Sequence, residues 1–272
     1  MLHTAFSLTA QARKSGLVIV LALIAGFFYP VQAVAAANIY VIQTSNIRFG
    51  TGSETSIGND GFLKQPFYKS SNGNWYQLTY WNYPLRYAIG TNDDTYSGGT
   101  GWNLSGAFFN SQLSLPASMT IEDASGFVTT STSGGLNIGY GTLVTSVNIT
   151  TGSRTFKLTN TYVTGQTDSY VKITTKITNT SGVTLKNARL WVGTNDDWVG
   201  STDSPNKQRG NINTGSFVVS ASAATRSPAL KITSGSEGIL FYSTDDNATT
   251  SVTNYGMFSQ IVSTNPASSS LD

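Results

Sequence analysis

The chain has 272 residues, with 16 Lys and Arg against 14 Asp and Glu, and charged residues make up 11% of it. It has no cysteine, and its single histidine is His3. Without these residues the rest of the chain cannot build a Ser-His-Asp or Cys-His triad. Zinc, haem and iron–sulfur centres bound through His or Cys are excluded in the same way.

Residues 1–37 are typical of an export signal. Arg13 and Lys14 precede an uncharged apolar run over residues 16–29, and residues 33–37 offer small side chains for cleavage. The run is shorter than the roughly 20 residues of a membrane span. We therefore expect cleavage, with an uncleaved anchor as the alternative. This predicts a secreted or cell-surface protein that has no membrane span after cleavage.

Loss of this segment changes the charge of the chain. Removing Arg13 and Lys14 leaves 14 basic residues against 14 acidic ones, so the net charge becomes zero. No basic block remains for the phosphate contacts that dominate nucleic-acid binding, and nucleic acid is not expected as a partner. An exported chain without disulfides favours a bacterial origin.

The remaining composition predicts an all-β protein. Thr, Ser, Gly, Asn, Val and aromatic residues dominate, and short alternating runs recur between turn residues, without a helical period. We expect one large antiparallel β-sandwich over residues 38–262, or else two smaller sandwiches, with negligible helix after the signal segment. Short strands are predicted at residues 39–43, 75–81, 107–115, 217–220 and 239–243.

Two hairpins stand out in the pattern. Residues 139–149 should pair with residues 154–163. Residues 170–192 should form a second hairpin with its turn at residues 179–182, because aliphatic residues alternate with Thr and Lys before that turn. Residues 263–272 are Ser-rich and read as a tail, or as a linker to a further part of a longer protein.

Segment 171–193, reading VKITTKITNTSGVTLKNARLWVG, carries a family resemblance. It resembles the strand–NTSG–strand segments in β-sandwich modules of large secreted bacterial surface and adhesin-like proteins. The resemblance implies a non-catalytic surface or matrix module. The segment is also loosely similar to edge strands of galactose-mutarotase-type supersandwich domains, whose catalysis relies on histidines that this chain lacks beyond His3.

Part of the chain occurs twice. Residues 85–94 read LRYAIGTNDD and residues 188–197 read ARLWVGTNDD. Each copy has an Arg-bearing strand, a glycine and then Thr-Asn-Asp-Asp. We expect both acidic loops to follow strand ends, with Gly90 and Gly193 releasing the chain through a positive φ.

The acidic loops are candidate calcium sites, because hard cations prefer carboxylate and amide oxygens. The predicted ligands of the main site are Asn195, Asp196, Asp197 and Asp203. A second set is Asn92, Asp93 and Asp94, and a third lies at residues 245–247. Two alternatives remain open, namely ordinary turn chemistry and a brace between Asp and Arg189, Lys207 or Arg209. No other cofactor is expected.

Aromatic residues suggest a carbohydrate surface, with Trp75, Trp81 and Trp102 as the candidate binding residues. Along residues 75–81, alternation places Trp75 and Trp81 on one face and Tyr76 and Tyr80 on the other. Aromatic core packing is the alternative. The expected partner is a glycan or a cell-surface protein.

Catalysis by paired carboxylates is the last alternative. Glu54, Glu122 and Glu237 are the glutamates of the chain, and none has a recognisable catalytic context. Asp196 and Asp197 would point to opposite sides of a strand. The sequence therefore predicts no enzyme, but a secreted, non-catalytic surface module, which calcium would stabilise if the acidic loops bind it, with a carbohydrate-binding module as the alternative.

Overall fold

The computed structural model describes residues 37–59, 61, 63–80, 85–92, 102–106, 119–151, 154–184, 189–194, 198–221, 226–248 and 250. These residues form sixteen β-strands and no helix, which confirms the predicted all-β class. The strands are β1 (Tyr40–Ile42), β2 (Ile47–Phe49), β3 (Pro66–Lys69), β4 (Trp75–Gln77), β5 (Arg86–Asn92), β6 (Trp102–Gly106), β7 (Thr120–Asp123), β8 (Phe127–Ser133), β9 (Leu136–Thr151), β10 (Arg154–Thr164), β11 (Lys172–Asn179), β12 (Arg189–Gly193), β13 (Asn206–Asn213), β14 (Ser216–Val219), β15 (Ala229–Ser234) and β16 (Glu237–Tyr242).

The largest sheet is built around β9 and β10. Its order is β1-β9-β10-β11, and β7 and β8 also pair with β9. β9 and β10 form a long antiparallel hairpin whose register runs from Thr151 opposite Arg154 to Gly141 opposite Thr164. The hairpin predicted for residues 139–149 and 154–163 is therefore confirmed.

Alternation along β10 determines which face of this sheet is buried. Phe156, Leu158 and Tyr162 are almost completely buried, whereas Lys157 and Thr159 between them reach the other face. The buried rows of β9 and β10 contribute to two apolar clusters. One cluster contains Ile42, Phe49, Ile57, Leu63, Ile121, Leu143 and Tyr162, and the other contains Val147, Ile149, Phe156 and Leu158.

Three smaller sheets complete the described fold, with orders β12-β5-β6, β14-β13-β15-β16 and β2-β3-β4. Phe49 of β2 belongs to the first apolar cluster, and Leu190 of β12 packs against the second. The inner face of the largest sheet is thus covered by residues from two other sheets, which gives a sandwich-like arrangement. The described residues belong to one compact unit.

The hairpin predicted for residues 170–192 is wrong. β11 pairs with β10, with Ile177 opposite Leu158, and β12 pairs with β5. The alternation in β11 is present only in part, since Ile177 packs inward and Lys172 and Lys176 are exposed, but Ile173 is exposed as well. The period of the side chains indicated the buried face, but it did not specify the neighbouring strand.

The short predicted strands correspond to described strands, except where the structure does not describe the residues. Those at 39–43, 217–220 and 239–243 correspond to β1, β14 and β16. The strand predicted over 75–81 ends at Gln77 as β4, and the one at 107–115 lies outside the described residues. Because the part of the chain that the structure describes has no helix, it has none that could cross a membrane.

Candidate functional site

The two copies of the repeated segment pair with each other. β5 and β12 form an antiparallel ladder in which Ala88 lies opposite Trp191, its equivalent in the other copy. On either side, the arginine of one copy lies opposite the glycine of the other. These pairs are Arg86–Gly193 and Arg189–Gly90. The ladder therefore has a local two-fold axis, and the repeated segment is complementary to its own copy.

Because β5 and β12 are antiparallel, the two acidic stretches begin at opposite ends of their ladder. Asn92 ends β5 at one end of the ladder, and Thr194 follows β12 at the other end. The candidate ligands Asp93, Asp94, Asn195, Asp196 and Asp197 lie outside the described residues. Calcium binding by these stretches stays a prediction, which thermal unfolding with calcium and with EDTA would test.

The two glycines do not act as expected. Gly90 lies inside the ladder, because β5 continues to Asn92 and pairs there with Trp102. Gly193 ends β12 without a positive φ, and a Cβ at this position would lie 2.5 Å from Cζ2 of Trp191. Gly193 is needed for space beneath an aromatic ring rather than for backbone freedom.

Of the other acidic residues predicted to bind calcium, Asp203 and the aspartates of residues 245–247 lie in the described part of the chain. Asp203 is exposed, and its carboxylate forms no ion pair with a described residue, Lys207 and Arg209 included. A brace from these cations or from Arg189 to Asp196 or Asp197 stays a prediction, because the two aspartates lie outside the described residues. In the 245–247 turn, Oδ1 of Asp245 accepts a hydrogen bond from the backbone N–H of Asn247 at 2.7 Å. That is the turn chemistry given as the alternative to metal binding.

The two described candidate tryptophans lie in different sheets. Trp75 is in β4 of the β2-β3-β4 sheet, whereas Trp102 begins β6 of the β12-β5-β6 sheet, and Trp81 lies outside the described residues. Among the described residues, no group of three acidic side chains is arranged to hold a metal ion. The best-defined candidate site is instead the surface that includes Trp75.

We call this surface the Arg48 face. In the β2-β3-β4 ladder, Arg48 lies opposite Phe67 and Phe67 lies opposite Gln77, while Lys69 lies opposite Trp75. Residues directly opposite each other on antiparallel strands share a face of the sheet. The Arg48 face therefore consists of Arg48, Phe67, Lys69, Trp75 and Gln77.

The two cations of this face, Arg48 and Lys69, lie over aromatic rings. The Arg48 guanidinium carbon lies 4.7 Å from the centroid of Trp75 and 5.1 Å from that of Phe67, and Lys69 Nζ lies 5.7 Å from the centroid of Trp75. These distances are typical of cation–π contacts. The loop after β2 encloses the guanidinium from another side, because Gly52 has a φ of 91° and a Cβ there would lie 2.8 Å from Nη1 of Arg48.

The Arg48 guanidinium has no polar partner among the described residues. Its Nε is buried without a hydrogen bond, and neither a hydrogen bond nor an ion pair involves its terminal nitrogens. Because these terminal nitrogens are not buried, they reach the surface of the half-buried side chain. Burial lowers the pKa of Arg48 by desolvating its charge.

The opposite face of the same sheet carries a different cluster. The Tyr68 hydroxyl donates a hydrogen bond to Oε1 of Glu237 at the start of β16, and the Tyr68 ring stacks on that of Tyr76 at 5.8 Å. The Glu237 carboxylate lies directly over Gly200, whose φ is 65°. Tyr68 has its pKa raised to about 12, mainly because it donates this hydrogen bond, and also through burial and the charge of Glu237.

Sequence reasoning did not single out Arg48, Lys69 or Tyr68. The available signal for Arg48 was a charged residue between Ile47 and Phe49, followed by a Gly-Thr-Gly turn. That signal does not show that Arg48 lies over the rings of Phe67 and Trp75. Comparison with known proteins found no family model, no curated protein and no solved structure that matches this chain.

Proposed function

We propose that this chain is an exported, non-catalytic β-sandwich module of a bacterial cell-surface or matrix protein of the adhesin-like kind. The observation that carries the non-catalytic part is that all three glutamates serve structural contacts. Lys64 and the backbone N–H of Thr51 donate to Glu54, and Lys157 and Ser146 donate to Glu122. Glu237 accepts from Tyr68.

The electrostatics of two of these glutamates support the same proposal. Burial raises the pKa of Glu54, but the hydrogen bonds from Lys64 and Thr51 together outweigh burial, so the net effect is a lowered pKa. Hydrogen bonds from Lys157 and Ser146 lower the pKa of Glu122. A glycosidase-type general acid needs the opposite shift, because it must remain protonated near neutral pH.

The export part of the proposal rests on residues 1–37. It is tested by expressing the full chain in a bacterium, fractionating the cells and determining the N-terminus of the product by mass spectrometry. We expect an exported product that begins after Ala35 or Ala37. The variant Ile24→Arg, which interrupts the apolar run, should remain in the cytoplasm with the segment intact. Cytoplasmic wild-type protein with an uncut N-terminus would overturn the proposal.

The non-catalytic part is tested with a panel of polysaccharides incubated with the exported protein. We expect no release of reducing ends. Turnover that disappears in Glu122→Gln or Glu237→Gln, and persists in a variant of an exposed lysine such as Lys176→Gln, would show that the chain is an enzyme.

Carbohydrate binding is the second candidate function, and the Arg48 face favours it. Trp75 combines a large ring with neighbouring polar groups, including the side chain of Gln77 across the same face. Such faces suit sugars, whose rings have apolar and hydroxyl-bearing sides. The Arg48 guanidinium beside Trp75 also distinguishes this surface from an apolar aromatic platform.

A further inference from the structure

The Arg48 face carries two positive charges without a described carboxylate. Of the carboxylates near this sheet, Glu237 is bonded to Tyr68 on the opposite face, and Glu54 in the loop after β2 is paired with Lys64. The charge of Arg48 is therefore not neutralised by a described neighbour. An incompletely hydrated cation of this kind gains from an external anion.

The guanidinium is already arranged for such a ligand. Contacts with the Phe67 and Trp75 rings and with the backbone at Gly52 confine the guanidinium, and its terminal nitrogens are not fully buried and have no hydrogen-bond partner among the described residues. A fixed guanidinium fork matches the paired oxygens of a carboxylate or a sulfate. Little side-chain entropy remains to be lost on binding, which favours affinity.

We propose that the Arg48 face binds the oxyanions of an acidic polysaccharide, with Arg48 and Lys69 as the charged groups and Trp75 as the ring that supports a sugar. A polymer with a negative charge on each repeat complements two cations on adjacent strands. Its sugar rings supply apolar faces for the aromatic residues. This inference rests on the proposed surface function and adds the class of ligand that the surface would take.

The test uses titration calorimetry of the full chain with three probes, namely polygalacturonate, dextran sulfate and neutral dextran. We expect binding to at least one acidic polymer and none to dextran. Stronger binding of polygalacturonate would identify the carboxylate as the preferred oxyanion, and stronger binding of dextran sulfate would identify the sulfate. Arg48→Gln should weaken binding of the preferred polymer on the order of tenfold to a hundredfold.

Matched variants distinguish a specific binding site from non-specific attraction between a polyanion and any lysine of the surface. Lys69→Gln removes a cation over Trp75, and Lys231→Gln removes a comparable lysine that lies 5.2 Å from the Phe217 ring in another sheet. Only Lys69→Gln should weaken binding. Because Arg48→Gln could affect folding, Arg48→Lys provides a second variant, which keeps the charge, loses the fork and should still bind less tightly.

Several results would overturn the inference. These are equal binding of dextran, no binding of either acidic polymer, unchanged affinity in folded Arg48→Gln, or equal losses in Lys69→Gln and Lys231→Gln. Export of the protein is measured independently, so a failure of this site leaves the proposed localisation intact. An unexported protein that still binds through Arg48 would contradict the proposed function alone.

Discussion

Tyr68 shows how one hydrogen bond can connect distant parts of this chain. It lies 169 residues from Glu237, yet its hydroxyl bonds the carboxylate and thereby ties β3 to β16. A hydrogen bond to a charged acceptor contributes more than a neutral one, although partial exposure reduces the effect. We expect Tyr68→Phe to lower the free energy of unfolding by about 1 kcal/mol at pH 8.

The same contact predicts a dependence on alkaline pH. Because folding raises the pKa of Tyr68 from 10.0 to about 12, the folded state holds this proton more tightly than the unfolded state. The stabilisation is complete below pH 10 and is lost as the pH rises through 12. Urea unfolding at pH 8, 10 and 11.5 should therefore show a decreasing difference between wild type and Tyr68→Phe.

The neighbouring ring supplies the control for that measurement. Tyr76→Phe leaves the bond between Tyr68 and Glu237 in place, so this variant should retain the wild-type loss of stability above pH 10. A difference between wild type and Tyr68→Phe that stays constant from pH 8 to 11.5 would show that the hydroxyl is not held by the carboxylate.

Gly193 carries a second prediction for a single residue. An added Cβ would meet the Trp191 ring at 2.5 Å, so either the ring or the strand must move. We expect Gly193→Ala to cost about 1–3 kcal/mol, as overpacking usually does. Gly182→Ala is the control, because no atom lies within 4 Å of its added Cβ and its φ is not positive. Equal melting temperatures for both variants would contradict this role.

At the scale of the elements, the sequence predicted pairing between strands that are neighbours in the chain, but not pairing between distant strands. The β9–β10 hairpin was predictable because its strands are adjacent in the chain, with Thr151 at the end of β9 only three positions before Arg154 at the start of β10. The neighbours of β11 and β12 were not, because alternation marks a buried face without naming a partner. The GTNDD repeat was visible in the sequence, but the pairing of its two copies required the fold.

The candidate site had the same limitation. Trp75 could be selected from its residue type, whereas the importance of Arg48 arises from strand pairing across 27 positions of the chain. That no described carboxylate pairs with Arg48 is likewise a property of the assembled sheet. Composition showed that residues 38–272 hold equal numbers of basic and acidic side chains, but not that one sheet face would present two cations without a described carboxylate.

The pairing of β5 with β12 can be tested by cysteine cross-linking, since the chain has no native cysteine. Tyr87 and Val192 are directly opposite in the ladder, where Cα atoms are about 4.5–5.5 Å apart. Such a separation lies within the range of a disulfide. We expect Tyr87→Cys with Val192→Cys to form an intramolecular disulfide under mild oxidation, detected by mass spectrometry as the loss of two hydrogen atoms.

A shifted pair provides the control for this register. Ile89→Cys with Val192→Cys places the two residues diagonally, because Ile89 lies opposite Leu190. Diagonal neighbours are about 7–8 Å apart, so this pair should cross-link much more slowly. Faster cross-linking of the diagonal pair would indicate a different register, and no cross-linking of either pair would indicate that the strands are not neighbours.

For the whole molecule, we expect one cooperative unit. The described residues belong to a single compact unit, and the β2-β3-β4 sheet is tied to later parts of the chain by the Tyr68–Glu237 bond. Val199 adds to this connection through an isolated bridge to Thr79. The sequence alone allowed either one large sandwich or two smaller ones, because hydrophobic alternation is the same in both arrangements.

These connections predict a single unfolding transition in differential scanning calorimetry, with equal calorimetric and van't Hoff enthalpies. Phe156→Ala, which truncates a ring that is 1% exposed, should cost about 3–5 kcal/mol and lower the melting temperature by roughly 10 °C. The whole transition should shift together. Lys157→Ala alters the adjacent residue on the other face and should change the free energy by less than about 1 kcal/mol. Two resolved transitions, of which Phe156→Ala moves only one, would instead establish two smaller sandwiches that unfold independently.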